Sequence, residues 1–179
     1  MALTRARVIS GPPELRSKVE AVIAGVLSKP RDTRVIAADV RDMRARIATE
    51  KGSDDIWDLK QVRGGLVDLE FIAQYLQLVN ASQNSAVLDA NTAGAIAKLT
   101  AAGALSVADG SALGETAHTL TNLTGLLRLM TDGPFEPSTA PRGLKDRLAR
   151  AGAAPSFSAL EAMLRDTLRL VHDAFNRLI

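Results

Sequence analysis

The 179-residue chain has no cysteine. Disulfides and thiolate metal sites are thereby excluded, and the composition fits a cytoplasmic protein. Aromatic residues are scarce: one Trp, one Tyr and four Phe. A single-stranded nucleic-acid surface needs aromatic faces interleaved with cations, and no such pattern is present. Long apolar runs are also missing. No stretch of about 18 apolar residues occurs, so no membrane span is expected. The opening MALTRARVIS lacks the continuous apolar region of a signal peptide. An excess of one sign of charge is nearly absent: 22 basic against 20 acidic residues leave +2, too little for a strong field toward nucleic acid or membrane. Histidine is limited to His118 and His172, far apart and each within helix-forming sequence, which makes a poor metal set. Neither a phosphate-binding Gly-x-x-x-x-Gly-Lys-Ser/Thr nor a dinucleotide Gly-x-Gly-x-x-Gly occurs.

What the chain does have is 46% apolar residues, supplied mainly by Ala, Leu, Val and Ile. Such a core suits closely packed helices, and the periodicity agrees. Ser10-Gly11-Pro12-Pro13 reads as a helix start with Ser10 as cap, followed by the stripe Leu15, Val19, Val22, Ile23, Val26 and Leu27 up to Pro30. Asp32 caps a second helix with the stripe Ile36, Val40, Met43 and Ile47; its Arg34, Arg41, Arg44 and Arg46 read as a solvated, mixed-charge face. Ile56 to Val62 reads as a short extended piece. Further helices are expected from Leu66 to Asn80, from Asp89 or Asn91 to near Gly103, a long one from Ser106 with Leu113, Leu120, Leu123, Leu127 and Met130 in phase, from Leu144 to Ala151, and from Ser156 or Ser158 to the end. The Gly- and Pro-rich segment 132–142 is expected to be a mobile loop. The fold class is all-α: a bundle of six or seven helices in a single domain covering residues 1–179.

The chemistry-bearing segment is Leu59 to Phe71, LKQVRGGLVDLEF. If Gly65 caps the helix, Asp68 falls at its third position, where a carboxylate can accept free amides. Asp68 shares a face with Ile72, Tyr75 and Val79, so its carboxylate is either capping or paired with a nearby cation such as Lys60 or Arg63. Glu70 lines up with Gln74 and Gln77 on a polar face. Asp68 and Glu70 are two residues apart on a helix, roughly 160–200° around it, so they cannot grip one metal ion. Upstream, Gly52-Ser53-Asp54-Asp55 resembles the start of a polymerase-beta-type nucleotidyltransferase site, but no Asp-x-Asp follows anywhere in the chain. Asp54 and Asp55 read instead as polar-loop and capping acids. No catalytic residue and no metal ligand is therefore assigned. The segment is open to two readings: a well-made helix start, or glycines and Lys60 set against a nucleotide or a neighbouring domain.

Leu59 to Leu76 as a whole resembles a signature of the glutamine synthetase adenylyltransferase family, roughly Lys-x-Gly-x-Gly-Gly-x-x-Asp-Ile-Glu-Phe-Ile-x-Gln-Tyr-Leu. Ala2 to Arg7 and Val40 to Arg44 resemble the flanking family segments. Val62 departs from the pattern, standing where the family has its first glycine; valine does not readily adopt positive φ, so a more extended turn is expected there. The resemblance implies a nucleotidyltransferase accessory domain, similar to that of PII uridylyltransferases, from the C-terminal, adenylylating half. Residues 1–11 would continue from an upstream catalytic domain that carries the Asp-x-Asp pair. It implies ATP and Mg²⁺ in the full-length enzyme and none bound by this chain alone, which is expected to be inactive in isolation. Implied partners are the upstream nucleotidyltransferase domain, glutamine synthetase, the PII signal protein and glutamine as effector. Lys60, Arg63, Gly64, Gly65, Asp68 and Glu70 are the implied domain-facing or nucleotide-proximal residues, with Arg5 and Arg7 as weaker phosphate or interdomain candidates. The rival readings are a self-contained helical sensor of PII or glutamine, and the equivalent domain of a PII uridylyltransferase.

Overall fold

The computed structural model describes residues 1–179. The fold is all-α, with no strand. Its seven α-helices are α1 (Pro13–Leu27), α2 (Thr33–Lys51), α3 (Leu66–Asn80), α4 (Thr92–Ala101), α5 (Val107–Met130), α6 (Arg142–Ala151) and α7 (Phe157–Leu178), with short 3-10 turns at Ala2–Arg5 and Ser85–Val87. None is long and apolar enough to cross a membrane.

The ends of these helices follow local chemistry. Asp32 Oδ1 accepts the amides of Arg34 and Val35 at the start of α2. Asn91, Ser106 and Ser156 do the same for α4, α5 and α7. Each satisfies amides that a first helical turn leaves without a partner. Ser10 does not cap α1: Pro12 takes that position, with no side-chain cap. At the other end of α1, Arg31 donates to the carbonyls of Val26 and Leu27 at 2.7 Å each. It places a cation where the helix dipole is negative.

The chain divides into two compact units, one of Met1–Met43, Glu70–Gly114 and Ile179, the other of Arg44–Leu69 and Glu115–Leu178. In the first, Val40, Ile72, Val87, Ala95, Leu99 and Leu113 are fully buried. Gln77 is buried with them, although its spacing suggested a polar face; its Oε1 accepts the Asp89 amide at 2.8 Å. Asp89 also accepts the Asn91 amide and pairs with Lys98 at 3.0 Å. The Asn91 amide, opposed in part by burial and helped by Lys98, holds the Asp89 carboxyl below its ordinary value. Most of the α1 stripe stays out of this core: Leu15, Val19 and Val22 are exposed, Ile23 and Val26 are half-buried, and only Leu27 is buried.

In the second unit the buried set is Leu-rich, with Leu59, Leu69, Leu120, Leu123, Leu148, Leu160 and Leu164. An aromatic cluster joins it. Trp57 stacks on Phe157 with centroids 5.2 Å apart and meets Phe135 edge-on at 4.7 Å. Half of the chain's six aromatic residues are thus spent at one point. Phe135 lies in the loop between α5 and α6, so this Pro-rich segment has a buried anchor.

Candidate functional site

Residues 56–65, expected to begin with an extended piece over Ile56 to Val62, form a succession of turns instead. The turns are set by aspartates. Asp55 accepts the Trp57 amide through its side chain and the Asp58 amide through its carbonyl. Asp58 receives the Gln61 amide on both its carbonyl and its carboxylate, and the Val62 amide on its carbonyl. Short polar side chains that bond to nearby backbone favour turns over extended chain, which is why the β-branched content of Ile56–Val62 does not prevail. Val62 therefore sits in a turn that its neighbours close, not in a more extended one.

The two glycines then make the corner into α3. Gly64 has φ +80°, and a Cβ there would collide with the backbone carbonyl of Leu168 in α7. At Gly65 a Cβ would lie 2.6 Å from the Leu59 carbonyl oxygen and 2.9 Å from that of Val62. Both positions need the absence of a side chain for backbone-on-backbone packing within the chain.

Asp68 closes the corner. Gly65 caps α3, and Asp68 sits at the third helical position, as its spacing indicates. Its Oδ2 accepts the Gly64 amide and its Oδ1 accepts Nε of Arg44. Arg44 also donates Nη2 to the Gln61 carbonyl at 3.1 Å. Both side chains are fully buried, at 0% exposure. One ion pair thus ties α2, the turn carbonyls and the start of α3 into a single clamp. The partner of Asp68 is Arg44, neither Lys60 nor Arg63, because those two point to solvent. Arg44 is one of the four α2 arginines whose mixed-charge pattern predicts a solvated face, and it is buried instead. The buried side of α2 is Ala37, Val40 and Arg44, with Met43 turned outward at 48% exposure. Arg44 stands four residues after Val40 on the same stripe, and that spacing was the available signal.

The remaining site candidates separate. Glu70 pairs with Arg5 at 2.6 Å, on a part-exposed surface. Arg7 lines a groove of about 360 Å³ with Leu3, Glu20, Ile23 and Asp89. Lys60 lines a cleft of about 660 Å³ with Asp55, Trp57, Asp58, Arg128 and Phe135. Arg63 stands at a smaller pocket, about 210 Å³, with Arg44, Gln61 and Asp54. Gly64, Gly65 and Asp68 are brought together and buried; Lys60 and Arg63 flank them as exposed cations. No three His, Asp or Glu side chains converge as a metal site. The geometry offers a loop pinned by buried hydrogen bonds, with two cations on its outside.

Residues 40–179 match the family model described as GlnD PII-uridylyltransferase. The chain belongs to that family. Its full length is 51% identical to the bifunctional glutamine synthetase adenylyltransferase/adenylyl-removing enzyme of Rhodopseudomonas palustris strain TIE-1. It is 49% identical to the enzyme of that name from strain BisB5, and 47% to that of Bradyrhizobium sp. strain BTAi1, again over all 179 residues. The chain spans 18% of the length of each of these three relatives. The family resemblance read from Leu59–Leu76 therefore holds along the whole chain, and what the family shares with it is a helical domain.

Proposed function

We propose that this chain is the helical accessory domain of the adenylylating half of a glutamine synthetase adenylyltransferase. In that enzyme AMP passes from ATP to a tyrosine of glutamine synthetase. The observation that carries the proposal is full-length identity near one half to relatives bearing that name, of which the chain accounts for 18%. ATP and Mg²⁺ belong on a separate nucleotidyltransferase domain, since Asp55, Asp58 and Asp68 of this segment are committed to turns and to the Arg44 clamp and no Asp-x-Asp pair occurs in the chain. The role of the clamp is to hold the Leu59–Leu66 loop rigid, so that Lys60 and Arg63 meet the catalytic domain or the incoming glutamine synthetase in a fixed register. Regulation by PII and glutamine, and a cytoplasmic location, go with this reading.

A second reading is the equivalent domain of a PII uridylyltransferase, which the description of the family model favours. The two are separated by the acceptor. The full-length protein is given ATP or UTP with Mg²⁺, and either glutamine synthetase or PII. Labelled AMP on glutamine synthetase supports the first reading, and labelled UMP on PII supports the second. The double variant Lys60→Ala/Arg63→Ala in the full-length protein is expected to lower kcat/KM for glutamine synthetase by about tenfold, with thermal stability nearly unchanged because both side chains are exposed. Unchanged kcat/KM would remove the docking role from this loop. The isolated 179-residue chain is expected to transfer no AMP; transfer by it would overturn the accessory-domain reading.

A further inference from the structure

Helix α1 lacks what a free helix needs. Residues 13–22, two thirds of its length, are exposed on every side. Leu15, Val19 and Val22 recur at steps of four and three on one face, at 56%, 40% and 66% exposure. Further along that face Ile23 and Val26 are half-buried and Leu27 is buried, so only the last turns rest on the core of their unit. A lone helix of about 12–15 residues is marginal in water even when it is rich in alanine. α1 has 15 residues, including the β-branched Val19, Val22, Ile23 and Val26 and the flexible Gly25, and it starts at Pro12 with no side-chain cap. A helix of this make-up is held by what covers its apolar face.

The stripe runs on into the groove of about 360 Å³, whose apolar walls are Leu3, Ile23, Leu27 and Leu88. Stripe and groove make one apolar track. The charges beside it, Glu14, Arg16, Lys18 and Glu20, balance, so the track has no attraction for an anionic lipid surface. The extent of the two kinds of match points to its occupant. The family model of the helical domain begins at residue 40, whereas the adenylyltransferase relatives match from the first residue to the last. The 3-10 turn at Ala2–Arg5 and α1 thus lie outside the shared helical domain, yet within what the chain has in common with proteins of which it is only 18%. We propose that α1 bridges two domains of one polypeptide: its last turns sit on this unit's core, and its first turns pack through Leu15, Val19 and Val22 onto the nucleotidyltransferase domain. The inference rests on the reading above that such a domain accompanies this one, and it holds for either acceptor.

The test is hydrogen exchange on the full-length protein, read over the amides of residues 17–26. They are expected to exchange at least about 100-fold more slowly than in an unstructured peptide, at every protein concentration. Val22→Asp sets a charge into the covered stripe and is expected to speed that exchange by about tenfold or more. Val22 is exposed within its own unit, so this change leaves the unit's core intact. Ser17→Asp, an exposed position on the opposite face of α1, is expected to leave the rates within about twofold. A benzophenone-bearing residue placed at Val19 is expected to crosslink to the nucleotidyltransferase domain of the same polypeptide. Exchange as fast as in an unstructured peptide overturns the proposal, and so does an equal response to Val22→Asp and Ser17→Asp. Protection that grows with protein concentration, with crosslinks between two molecules, also overturns it and assigns the stripe to a second copy. Nucleotide transfer by the parent protein is scored alongside. Transfer without the intramolecular crosslink removes the α1 surface and keeps the accessory-domain reading; no transfer to either acceptor removes that reading, and the partner proposed for α1 with it.

Discussion

Asp68 and Glu70 are two residues apart in one helix, each paired with an arginine, yet they do opposite work. Asp68 is fully buried, holds Arg44 and the Gly64 amide, and has no solvent to fall back on. Glu70 is part-exposed, and its partner Arg5 is half-exposed. A buried pair must offset a large desolvation cost, so removing one member strands the other in a dry site. An exposed pair gains little, since water replaces either partner. An ion pair's importance here is set by what surrounds it.

That contrast can be broken most forcefully at Asp68. Asp68→Ala leaves Arg44 buried without its counter-ion and is expected to cost about 3–5 kcal/mol in urea unfolding. A loss no larger than that of a surface pair would erase the distinction. Gly64→Ala attacks the same corner through the backbone. It places a Cβ at φ +80° and against the Leu168 carbonyl, so a loss of at least about 2 kcal/mol is expected from left-handed strain and collision together. Glu70→Gln, on the other side of the comparison, is expected to cost less than about 1 kcal/mol, and raising the salt concentration should shrink even that.

The smallest effect concerns pH. The folded-state carboxyl of Asp89 lies below its ordinary value of 3.8, chiefly because it accepts the Asn91 amide. Its contribution is therefore present above that value and is lost as pH falls through the lower, folded one. Asp89→Asn should be less stable than the parent near neutrality, and the gap should close as pH drops below about 4. A gap that does not change with pH would mean that the carboxylate's charge is not what matters there.

Helix boundaries were the most legible part of the fold because their signals are local. Asn91, Ser106 and the Gly65 corner each announce a helix within a few residues, and α3 begins and ends where the pattern places it. Tertiary choices were less legible. Nothing within a few residues of Arg44 distinguishes it from Arg41 or Arg46; only its phase with Ala37 and Val40 does, and four arginines on one helix hid that phase. The stripe on α1 misled in the other direction, since apolar periodicity says that a face can be buried and not that it is. At the candidate site, the glycines and Asp68 were legible as a helix start. Their use of Leu168 and Arg44 was not, because both partners come from distant sequence.

The measurement that bears most directly on this account is a double-mutant cycle between Arg44 and Asp68. Urea unfolding of Arg44→Met, Asp68→Leu and the double variant isolates what the two side chains do only together. The clamp predicts that each single change is severe and that the double change recovers much of the loss, with a coupling above about 2 kcal/mol. Losses that add to within ~0.5 kcal/mol would mean that the two residues act independently, and the clamp would not be what holds the loop.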